Sequence, residues 1–570
     1  MPPKNNPLTH GKKQKALALL QRQQPAAAIP LLEQVCRTDR RDAEAWFMLA
    51  SARQSLGQLG ESASCYLQVL ALQPDNAEAH YHLGNVLNEV GKNEEAAEQY
   101  KLAIASRPGY IEAHCNLGAL YEQQNEYPRA LACYREALRL APERAELHYN
   151  VGCALKQLGQ LEEAELRYRR AIELRPDFAE AHNNLANVLS ENRTRWDEAI
   201  NHHRRAFELN PDYIEAVYNL GIVLRSCGRL HEAIESYQKA IAGYERLGAT
   251  RDPHYADAHV NISFAFLLTG NFREGWREYA WKWRCENAPP RPFTPTTWDG
   301  SDLGGRPVFL HAEQGLGDEI FFLRFAPELK RRGAGRIAYQ SSKKIASLLA
   351  RCTLIDRLAT TAEPPAAGDA VFSVGDLPRL LGMERMNQIP SPVPLVPLAQ
   401  QTEIIQKRLR ASGPPPYIGV TWRAGIAGKE RLLHKESPLV LTAQALKQTQ
   451  GTILILQRHP EAGEIETFTQ TLERPVHDFS ELNDDLEQML ALLALIDEYV
   501  GVSNTNMHLR AGVGKTARVL VPSPPEWRWM AEGKESPWFP GFGVYRQEYD
   551  GSWEDAFAML AADLKQTYGV

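Results

Sequence analysis

A period of 34 residues in the first half of the chain restricts the folds that it can adopt. Prolines recur at spacings of 34, 34, 34 and 35 residues, at Pro74, Pro108, Pro142, Pro176 and Pro211. A small residue keeps the same phase, at Gly84, Gly118, Gly152, Ala186 and Gly221. A tyrosine recurs in the same way, at Tyr100, Tyr134, Tyr168 and Tyr237. Such a period indicates short supersecondary units that bury their apolar faces against one another.

The residue types in this period predict a hairpin of two helices in each repeat. The small residue lets the first helix approach the second closely, and the tyrosine fills the space between hairpins. The proline ends the second helix, because it has no amide hydrogen to continue the helical hydrogen bonds. The pattern is typical of tetratricopeptide repeats and predicts an α-solenoid, a superhelix of such hairpins, over residues 9–284. The longer fourth spacing predicts a loop insertion near Asn192–Arg195.

One position of the first helix is an asparagine in five repeats: Asn116, Asn150, Asn184, Asn219 and Asn261. The first helices of such an array line its concave face, and an amide side chain can both donate and accept a hydrogen bond. The column therefore predicts a groove that holds the backbone of an extended polypeptide acceptor. It resembles the asparagine ladder in the repeat arm of the eukaryotic O-linked N-acetylglucosamine transferase. The alternative is that these asparagines only cap or solvate the groove wall.

The last hairpin, at about residues 256–284, is rich in aromatic residues. It ends in Gly275-Trp276-Arg277-Glu278-Tyr279 and Trp281-Lys282-Trp283-Arg284. We interpret it as a capping helix whose aromatic side chains bury the end of the solenoid and dock the next domain. The proline-rich segment NAPPRPFTPTTWDG that follows predicts a domain boundary.

Composition and charge narrow the class of protein. A chain of 570 residues is too long for a single hydrophobic core, so we expect two or three packed units. Its 24% charged and 44% hydrophobic residues are typical of a globular protein. The formal charge of −6 gives no electrostatic reason to expect a nucleic acid partner. No run of 18 apolar residues and no secretory signal is present, so we expect a cytoplasmic protein without a membrane span. The eight cysteines form no CxxC pair, which favours reduced structural thiols over disulfides or a zinc site.

After Trp298 the pattern changes to short apolar runs that alternate with amphipathic stretches, as in parallel α/β units. The predicted strands are Pro307–His311, Arg336–Gln340, Tyr417–Trp422, Thr452–Gln457, Glu498–Val502 and Ala517–Val521. Helices are predicted from about Glu319 to Arg332, from Asp484 to Leu495 and from near Met507. The pattern predicts two Rossmann-like lobes, 298–400 and 413–570, that face a cleft at the carboxyl ends of their strands.

Two strand-to-helix junctions carry the candidate ligand contacts. In the first, E-Q-G-L-G-D, the glycines allow a ligand close to the backbone, and the helix that follows favours an anion at its amino terminus. In the second, a strand runs into four small polar residues and then a helix, which could hold a diphosphate; the alternative is an ordinary helix cap. The candidate donor-binding residues at the two junctions are Gly315, Gly317, Ser503, Asn504, Thr505, Asn506 and His508.

The segment W-D-G-S-D-L-G-G-R-P-V-F-L-H-A-E-Q-G-L-G-D resembles the start of bacterial repeat-linked glycosyltransferase domains. Four further segments match the same proteins: G-V-T-W-R-A-G, H-L-R-A-G-V-G-K, P-E-W-R-W-M and S-P-W-F-P. These domains are similar to heptosyltransferases and share the GT-B arrangement of two Rossmann-like lobes. The resemblance covers about residues 270–570 and implies an acceptor side in the lobe 298–400 and a nucleotide-sugar side in the lobe 413–570.

The resemblance also implies roles for individual residues. Asp318 matches the proposed general base, which deprotonates an acceptor hydroxyl as it attacks the anomeric carbon, and His311 and Glu313 could share or replace that role. The alternative is that Asp318 caps the helix that begins near Glu319. No DxD motif ends a strand, which agrees with metal-independent transfer from a nucleotide sugar and no further cofactor. The cations expected at the donor phosphates are Arg423, Lys435 and Arg458.

One departure concerns the second junction. Heptosyltransferase-like members usually carry Asp-Thr where this chain has Ser503-Asn504, and an alanine where it has Arg510. A negative charge near the donor is therefore missing and a positive charge is added. His508 keeps its place and is expected to touch the diphosphate or the sugar, or else to be a buried structural histidine.

Three functions follow from these features. The first is a protein glycosyltransferase whose groove delivers a polypeptide acceptor, which similar proteins suggest to be a flagellin or another surface protein. The second is an interaction scaffold with a degenerate, non-catalytic GT-B domain. The third is a heptosyltransferase-like enzyme that acts on a lipid-linked saccharide, although the acidic balance and the lack of a basic amphipathic helix argue against a membrane-bound substrate.

Overall fold

The computed structural model describes residues 7–313, 315–359, 363–424 and 435–569. They form two compact units: one holds the chain up to residue 191 together with 208–210, and the other holds 192–207 and 211 onward. The boundary falls inside the repeat region, where the period gains its extra residue. Within the described ranges, no helix combines the length and the apolar character needed to cross a membrane.

The first unit is a series of antiparallel helical hairpins in which each helix packs on the next in the chain. Polar side chains cap some of the helices; Asp42, for example, accepts a hydrogen bond from the amide of Ala45. The helices are α1 Pro7–Gln21, α2 Pro25–Thr38, α3 Ala43–Ser55, α4 Leu59–Leu72, α5 Ala77–Glu89, α6 Asn93–Ser106, α7 Ile111–Gln123, α8 Tyr127–Leu140, α9 Ala145–Gln157, α10 Leu161–Leu174 and α11 Ala179–Ser190.

The recurrent glycine and tyrosine of the period meet inside the hairpins, so the prediction that the tyrosine fills the space between hairpins is wrong. Gly152 lies on α9 and the fully buried Tyr168 on α10, and a Cβ added at Gly152 would lie only 2.7 Å from Cε1 of the tyrosine ring. The same close approach joins Gly118 to Tyr134. These positions require glycine because the tyrosine ring leaves no space for a side chain. Backbone conformation is not the reason, since both glycines lie in regular helices.

The second unit begins with more hairpins of the same kind. The predicted insertion is a short 3-10 turn at Arg193–Arg195. The last hairpin ends in a second 3-10 turn at Ala280–Arg284, and Trp276 from this hairpin is buried in edge-on contact with Trp527 and Trp538. The predicted docking of the aromatic cap is thus confirmed. The helices are α12 Trp196–Leu209, α13 Ile214–Ser226, α14 Leu230–Arg246, α15 Pro253–Leu268 and α16 Phe272–Tyr279.

A parallel sheet with the strand order β3-β2-β1-β4 follows the repeats. Its central strand β1 pairs on both sides, so that Val308 lies opposite Ile337 and Ala370. The strands are β1 Val308–His311, β2 Ile337–Gln340, β3 Arg357–Ala359 and β4 Ala370–Ser373. The helices are α17 Leu316–Leu323, α18 Ala326–Arg331, α19 Ala346–Leu349 and α20 Leu377–Leu380.

The single helix predicted from Glu319 to Arg332 is wrong in two respects. It is divided into α17 and α18, because Pro327 lies in the first turn of α18 and cannot continue the hydrogen bonds of α17. Its start is also earlier, at Leu316, with Gly315 at the N-cap position. Asp318 therefore lies in the first turn of α17 and does not cap a helix that begins near Glu319.

A second parallel sheet has the order β10-β9-β8-β5-β6-β7, so the strand order reverses direction at β5 and β8. Four of these strands match the predicted ones to within two residues, and β7 and β10 were not predicted. The strands are β5 Tyr417–Val420, β6 Thr452–Ile455, β7 Val476–Asp478, β8 Glu498–Val502, β9 Arg518–Val521 and β10 Gly543–Arg546. The helices are α21 Ala399–Ser412, α22 Leu439–Ala445, α23 Glu464–Leu472, α24 Leu486–Leu495, α25 Thr505–Gly512 and α26 Glu554–Tyr568.

One apolar core runs through the second unit. It joins Trp276 of the last hairpin to Leu310 of the first sheet and Tyr499 of the second. The last repeats and the two sheets of this unit are therefore packed as one body around shared buried side chains.

The fit between Gly152 and Tyr168 predicts that Gly152→Val destabilises the repeats by about 1–3 kcal/mol, because the added atoms overlap a ring that has no room to move. The measurement is thermal unfolding of the full chain, followed by helical circular dichroism. Gly109→Val is the control, since an added Cβ there meets no atom within 4 Å. Equal loss of melting temperature in both variants would contradict the prediction.

Candidate active-site cavity

A cavity of about 380 Å³ opens in the second unit at the carboxyl ends of β5 and β8, where the strand order of the second sheet reverses. Ligands of open parallel sheets bind at such a reversal, because the loops after the two strands diverge there. The first sheet contributes the junction between β1 and α17. The lining residues are Gly315, Leu316, Gly317, Asp318, Thr421, Arg423, Ala424, Lys435, Leu456, Arg458, Asn483, Ser503, Asn504, Thr505, Asn506, His508, Glu526 and Arg528.

The glycines of the first junction are required by close contacts. Gly315 has a φ of 87°, and a Cβ there would lie 2.8 Å from Oδ2 of Asp318. A Cβ on Gly317 would lie 2.9 Å from Cδ2 of His508, so this glycine lets α17 approach the second junction. The two junctions therefore meet across the cavity, although 185 residues separate Asp318 from Ser503 in the sequence.

Asp318 forms an ion pair with the guanidinium of Arg528, a residue that the sequence did not single out. Burial raises the pKa of Asp318, and the charge of Arg528 acts in the opposite direction. Arg528 is itself buried, with its guanidinium carbon 4.7 Å from the ring centre of Phe321 and 4.6 Å from that of Trp527. The carboxylate of Asp318 is thus fixed at the cavity wall by a cation that cannot move away.

Glu526 is the second residue that the sequence did not single out. It accepts hydrogen bonds from Lys435 Nζ at 2.8 Å, Arg528 Nη1 at 3.0 Å and Ser503 Oγ at 2.6 Å. Burial alone would raise its pKa, but Lys435 and Arg528 outweigh it and lower the pKa of Glu526 to about 2. Glu526 and Arg528 both lie in the P-E-W-R-W-M segment, where two charged residues that alternate with tryptophans are the available signal.

Glu526 also changes the interpretation of the departure at Ser503. Ser503 donates a hydrogen bond from its hydroxyl group to Glu526, so a carboxylate lies beside Ser503 at the cavity. Arg510 does not line the cavity; it donates to the backbone oxygens of Leu493, Ile496 and Asp497 at the end of α24. The added basic residue therefore contributes no positive charge to the lining of the cavity.

The second junction is held by Asn504, which caps α25. Its side-chain oxygen accepts from the amide of Met507, and its nitrogen donates to Thr421 at 3.1 Å and to Tyr499 at 3.0 Å. This network joins the carboxyl ends of β5 and β8, and Thr505 and Asn506 in the first turn of α25 also line the cavity. The helix amino terminus thereby faces a polar cavity that an anion can enter.

His508 is buried beneath this turn, and its Nδ1 has no hydrogen-bond partner among the described residues. Burial lowers the pKa of His508 well below its ordinary value, and Arg528 and Arg324 act in the same direction. Edge-on contacts with Phe321 and Phe539 fix the ring. His508 is therefore a neutral ring that is held in a fixed position in the wall of the cavity.

The three cations that the sequence analysis proposed for the donor phosphates all line the cavity. They differ in how closely each is paired with a carboxylate. Arg423 forms an ion pair with Glu464 at 2.5 Å, and Lys435 forms one with Glu526 at 2.8 Å. Arg458 lies 3.9 Å from Asp484 and has a side chain that is 36% exposed. Arg458 is the lining cation with the most remote carboxylate and is the best placed to meet an incoming anion.

His311 and Glu313 do not line the cavity. His311 ends β1 and is almost completely buried, with its Nδ1 3.2 Å from the carbonyl oxygen of Ala312. Glu313 accepts two hydrogen bonds from Lys282, at 2.8 and 2.7 Å, and one from Ser373. The structure therefore brings Asp318 and the ten proposed donor-binding residues together, and leaves these two outside.

The asparagines of the repeat column are half-buried on the first helices of their hairpins. Two of them in the first unit donate to a tyrosine hydroxyl of the preceding repeat: Asn116 to Tyr81 at 3.3 Å and Asn184 to Tyr149 at 3.0 Å. In the second unit Asn261 donates to Tyr218 at 3.1 Å. The remaining members are Asn150 and Asn219. The column thus contributes contacts between repeats, and its role toward a polypeptide stays a prediction.

Models of the tetratricopeptide repeat match most of residues 13–274, so this part of the chain consists of tetratricopeptide repeats, which suit it to binding other proteins. Tetratricopeptide repeat models match residues 13–53, 47–111, 111–144, 181–213 and 212–274, and a TPR repeat model matches 152–192.

Among curated proteins, the chain is similar to Protein FlbA of Caulobacter vibrioides. The two are 25% identical over 348 residues, which cover 56% of this chain and 57% of FlbA. The chain thus spans little more than half the length of that relative. A crystal structure of YrrB, described as a TPR protein with an unusual peptide-binding site, is 25% identical, covers 32% of this chain and 93% of its own, and has a TM-score of 0.29. The C-terminal part of a TPR protein from Cytophaga hutchinsonii is 13% identical, covers 44% and 98%, and has a TM-score of 0.37.

The ion pairs of Glu526 predict a loss of stability in acid. The folded pKa of about 2 lies below the ordinary value of 4.5, so the stabilisation is complete above pH 4.5 and is lost as the pH falls toward 2. By the conversion of roughly 1.4 kcal/mol per pKa unit, the loss is on the order of 3 kcal/mol. Glu526→Gln is expected to be less stable at pH 7 and to lose less on acidification.

The measurement is urea unfolding at several pH values between 7 and 3, followed by tryptophan fluorescence. Glu535→Gln, at an exposed position, is the control and is expected to follow the wild type. If Glu526→Gln loses as much stability in acid as the wild type, the ion pairs do not contribute as described.

Proposed function

We propose that this protein transfers a sugar from a nucleotide-sugar donor to a protein bound by its repeats, with a GT-B-like pair of lobes around the cavity and Asp318 as general base. The observation that carries the proposal is the meeting of two junctions that were selected separately in the sequence. Asp318, the proposed general base, lines one cavity together with His508 and three basic residues. The histidine and the three basic residues are the proposed donor contacts. Unrelated surface loops would have no reason to converge in this way.

The charges of the cavity favour an anionic ligand. Of the described lining side chains, four are cationic, namely Arg423, Lys435, Arg458 and Arg528, and two are carboxylates, Asp318 and Glu526. Glu464, which does not line the cavity, forms an ion pair with Arg423. The net positive charge of the cavity is therefore smaller than the lining residues alone would give. With the amino terminus of α25, this net charge suits the diphosphate of a nucleotide sugar.

In the proposed reaction the acceptor hydroxyl oxygen bonds to the anomeric carbon, and its proton passes to Asp318. The bond between the anomeric carbon and the phosphate oxygen breaks, and the nucleoside diphosphate leaves with that electron pair. Burial raises the pKa of Asp318, which makes its carboxylate more basic, while Arg528 keeps it ionised and oriented. Arg458 and the amino terminus of α25 stabilise the charge on the leaving group.

The acceptor is proposed to be an extended polypeptide in the groove of the repeats. Tetratricopeptide repeats bind proteins through the first helices of their hairpins, and the asparagine column lies on those helices. The amide of Asn184 donates to Tyr149 through its nitrogen, and Lys156 Nζ lies 3.3 Å from its oxygen. These contacts would hold the amide in one orientation for a peptide group.

Asp318→Asn is expected to reduce sugar transfer by about a thousandfold or more, because the amide cannot accept the proton. Nucleotide binding should stay within about threefold of the wild type, since the phosphate contacts remain. The measurements are calorimetric binding of nucleotides and nucleotide sugars to the purified protein, and transfer or hydrolysis of whichever sugar binds. Asp555→Asn, at an exposed position of α26, is the control.

Each outcome of this experiment has a separate meaning. Full activity of Asp318→Asn would remove Asp318 from the mechanism. Failure of the wild type to bind any nucleotide or nucleotide sugar would overturn the transferase proposal and favour a non-catalytic scaffold.

Replacing Asn150, Asn184 and Asn219 by alanine is expected to raise the KM for a protein acceptor about tenfold or more, because backbone hydrogen bonds are lost. Hydrolysis of the donor should not change. Tyr149→Phe is the matched control, since it removes the hydrogen bond to Asn184 but leaves the amide in place. An unchanged KM in the triple variant, or an equal effect of Tyr149→Phe, would refute a direct role of the column in acceptor binding.

A further inference from the structure

Two residues of the repeat region contact the loops that carry the cavity residues. Lys282 comes from the 3-10 turn after the last hairpin, and Arg193 from the turn that the extra residue of the period creates. Each reaches a segment that leads directly into one wall of the cavity. All of these residues belong to the second unit.

The contact of Lys282 is a buried ion pair with Glu313. Its Nζ lies 2.8 and 2.7 Å from the two carboxylate oxygens, and the two side chains are 16% and 10% exposed. Glu313 lies five residues before Asp318 in the chain. Since a buried carboxylate needs a counter-charge, the ion pair holds Glu313 in place. Glu313 begins the segment that leads to Asp318.

The contact of Arg193 is made to backbone oxygens. Its Nη2 donates to the carbonyl of Ser523 at 2.7 Å, and its Nη1 to that of Tyr549 at 3.4 Å. Ser523 lies three residues before Glu526 and five before Arg528. A guanidinium that joins two loops restricts both of them, because its donors are held in a rigid plane.

We propose that Lys282 and Arg193 are positioning residues of the transferase site, and that the last repeats are therefore an integral part of that site and not a separable binding arm. Lys282 acts through Glu313 on the general base, and Arg193 acts through Ser523 on Glu526 and Arg528. This inference rests on the proposed function for its effect on turnover. Its structural part, the ordering of the two loops, can be measured without any substrate.

The first test is hydrogen–deuterium exchange of the full chain without ligand. Lys282→Met should speed exchange in 313–323 about tenfold and leave 523–530 unchanged, and Arg193→Met should do the reverse, because each variant releases one loop. Arg273→Met is the matched control. It removes an ion pair of 2.5 Å between the last hairpin and Glu384, and neither partner lines the cavity.

The second test separates positioning from general stability. In a nucleotide-sugar assay, Lys282→Met should lower kcat about tenfold to a hundredfold with the donor KM within about threefold, because a misplaced base slows only the chemical step. Lys282→Arg, which keeps the charge, should recover most of the activity. Lys282→Met with Glu313→Gln should be no worse than Lys282→Met alone, since Lys282 acts through that carboxylate.

The outcomes distinguish the two proposals. Unchanged exchange in both loops would overturn the positioning role whatever the protein catalyses. If the variants change exchange as expected but the wild type turns over no nucleotide sugar, the transferase function is overturned and the ordering of the loops is retained. An active wild type with kcat unaffected by both variants would overturn the positioning role at the level of catalysis.

Discussion

Arg528 places a guanidinium in the interior of the second unit, between the carboxylates of Asp318 and Glu526. A buried charge of this kind is tolerated only when it is paired, because a charge without a partner away from water is costly. The start of α17 and the segment around Glu526 must therefore keep one relative position. The cavity lies between them, so its shape depends on this charge arrangement.

Aromatic side chains supply the setting in which such charges can be buried. Trp276 from the last hairpin packs against Trp527 and Trp538, and Phe321 lies against the guanidinium of Arg528. Rings of this size exclude water and present an electron-rich face to the cation. The repeats and the sheets of the second unit therefore share a core. The aromatic side chains that join them also pack against the guanidinium of Arg528.

The predictions from the sequence succeeded where local rules decide the outcome. A 34-residue period with glycine in fixed phase predicts hairpins of two closely packed helices, and the contact of Gly152 with Tyr168 of the neighbouring helix confirms this packing. Buried parallel strands read as apolar runs, so β5 and β8 were located to within two residues. The prediction for the helix after β1 is wrong, because it ignores the break that Pro327 imposes and because the start at Leu316 follows a glycine whose positive φ the sequence does not reveal.

The sequence by itself determined the repeat arm, six of the ten parallel strands and the two glycine-rich or polar junctions, because each is marked by a local pattern of residues. Only the tertiary structure decided which of the proposed site residues meet. It brought His508 to Gly317, excluded His311 and Glu313, and added Glu526 and Arg528 as partners of Ser503 and Asp318. The physical reason is that compensation of buried charge is a long-range condition. A sequence shows which residues carry charge, whereas only the fold shows which charges must neutralise one another.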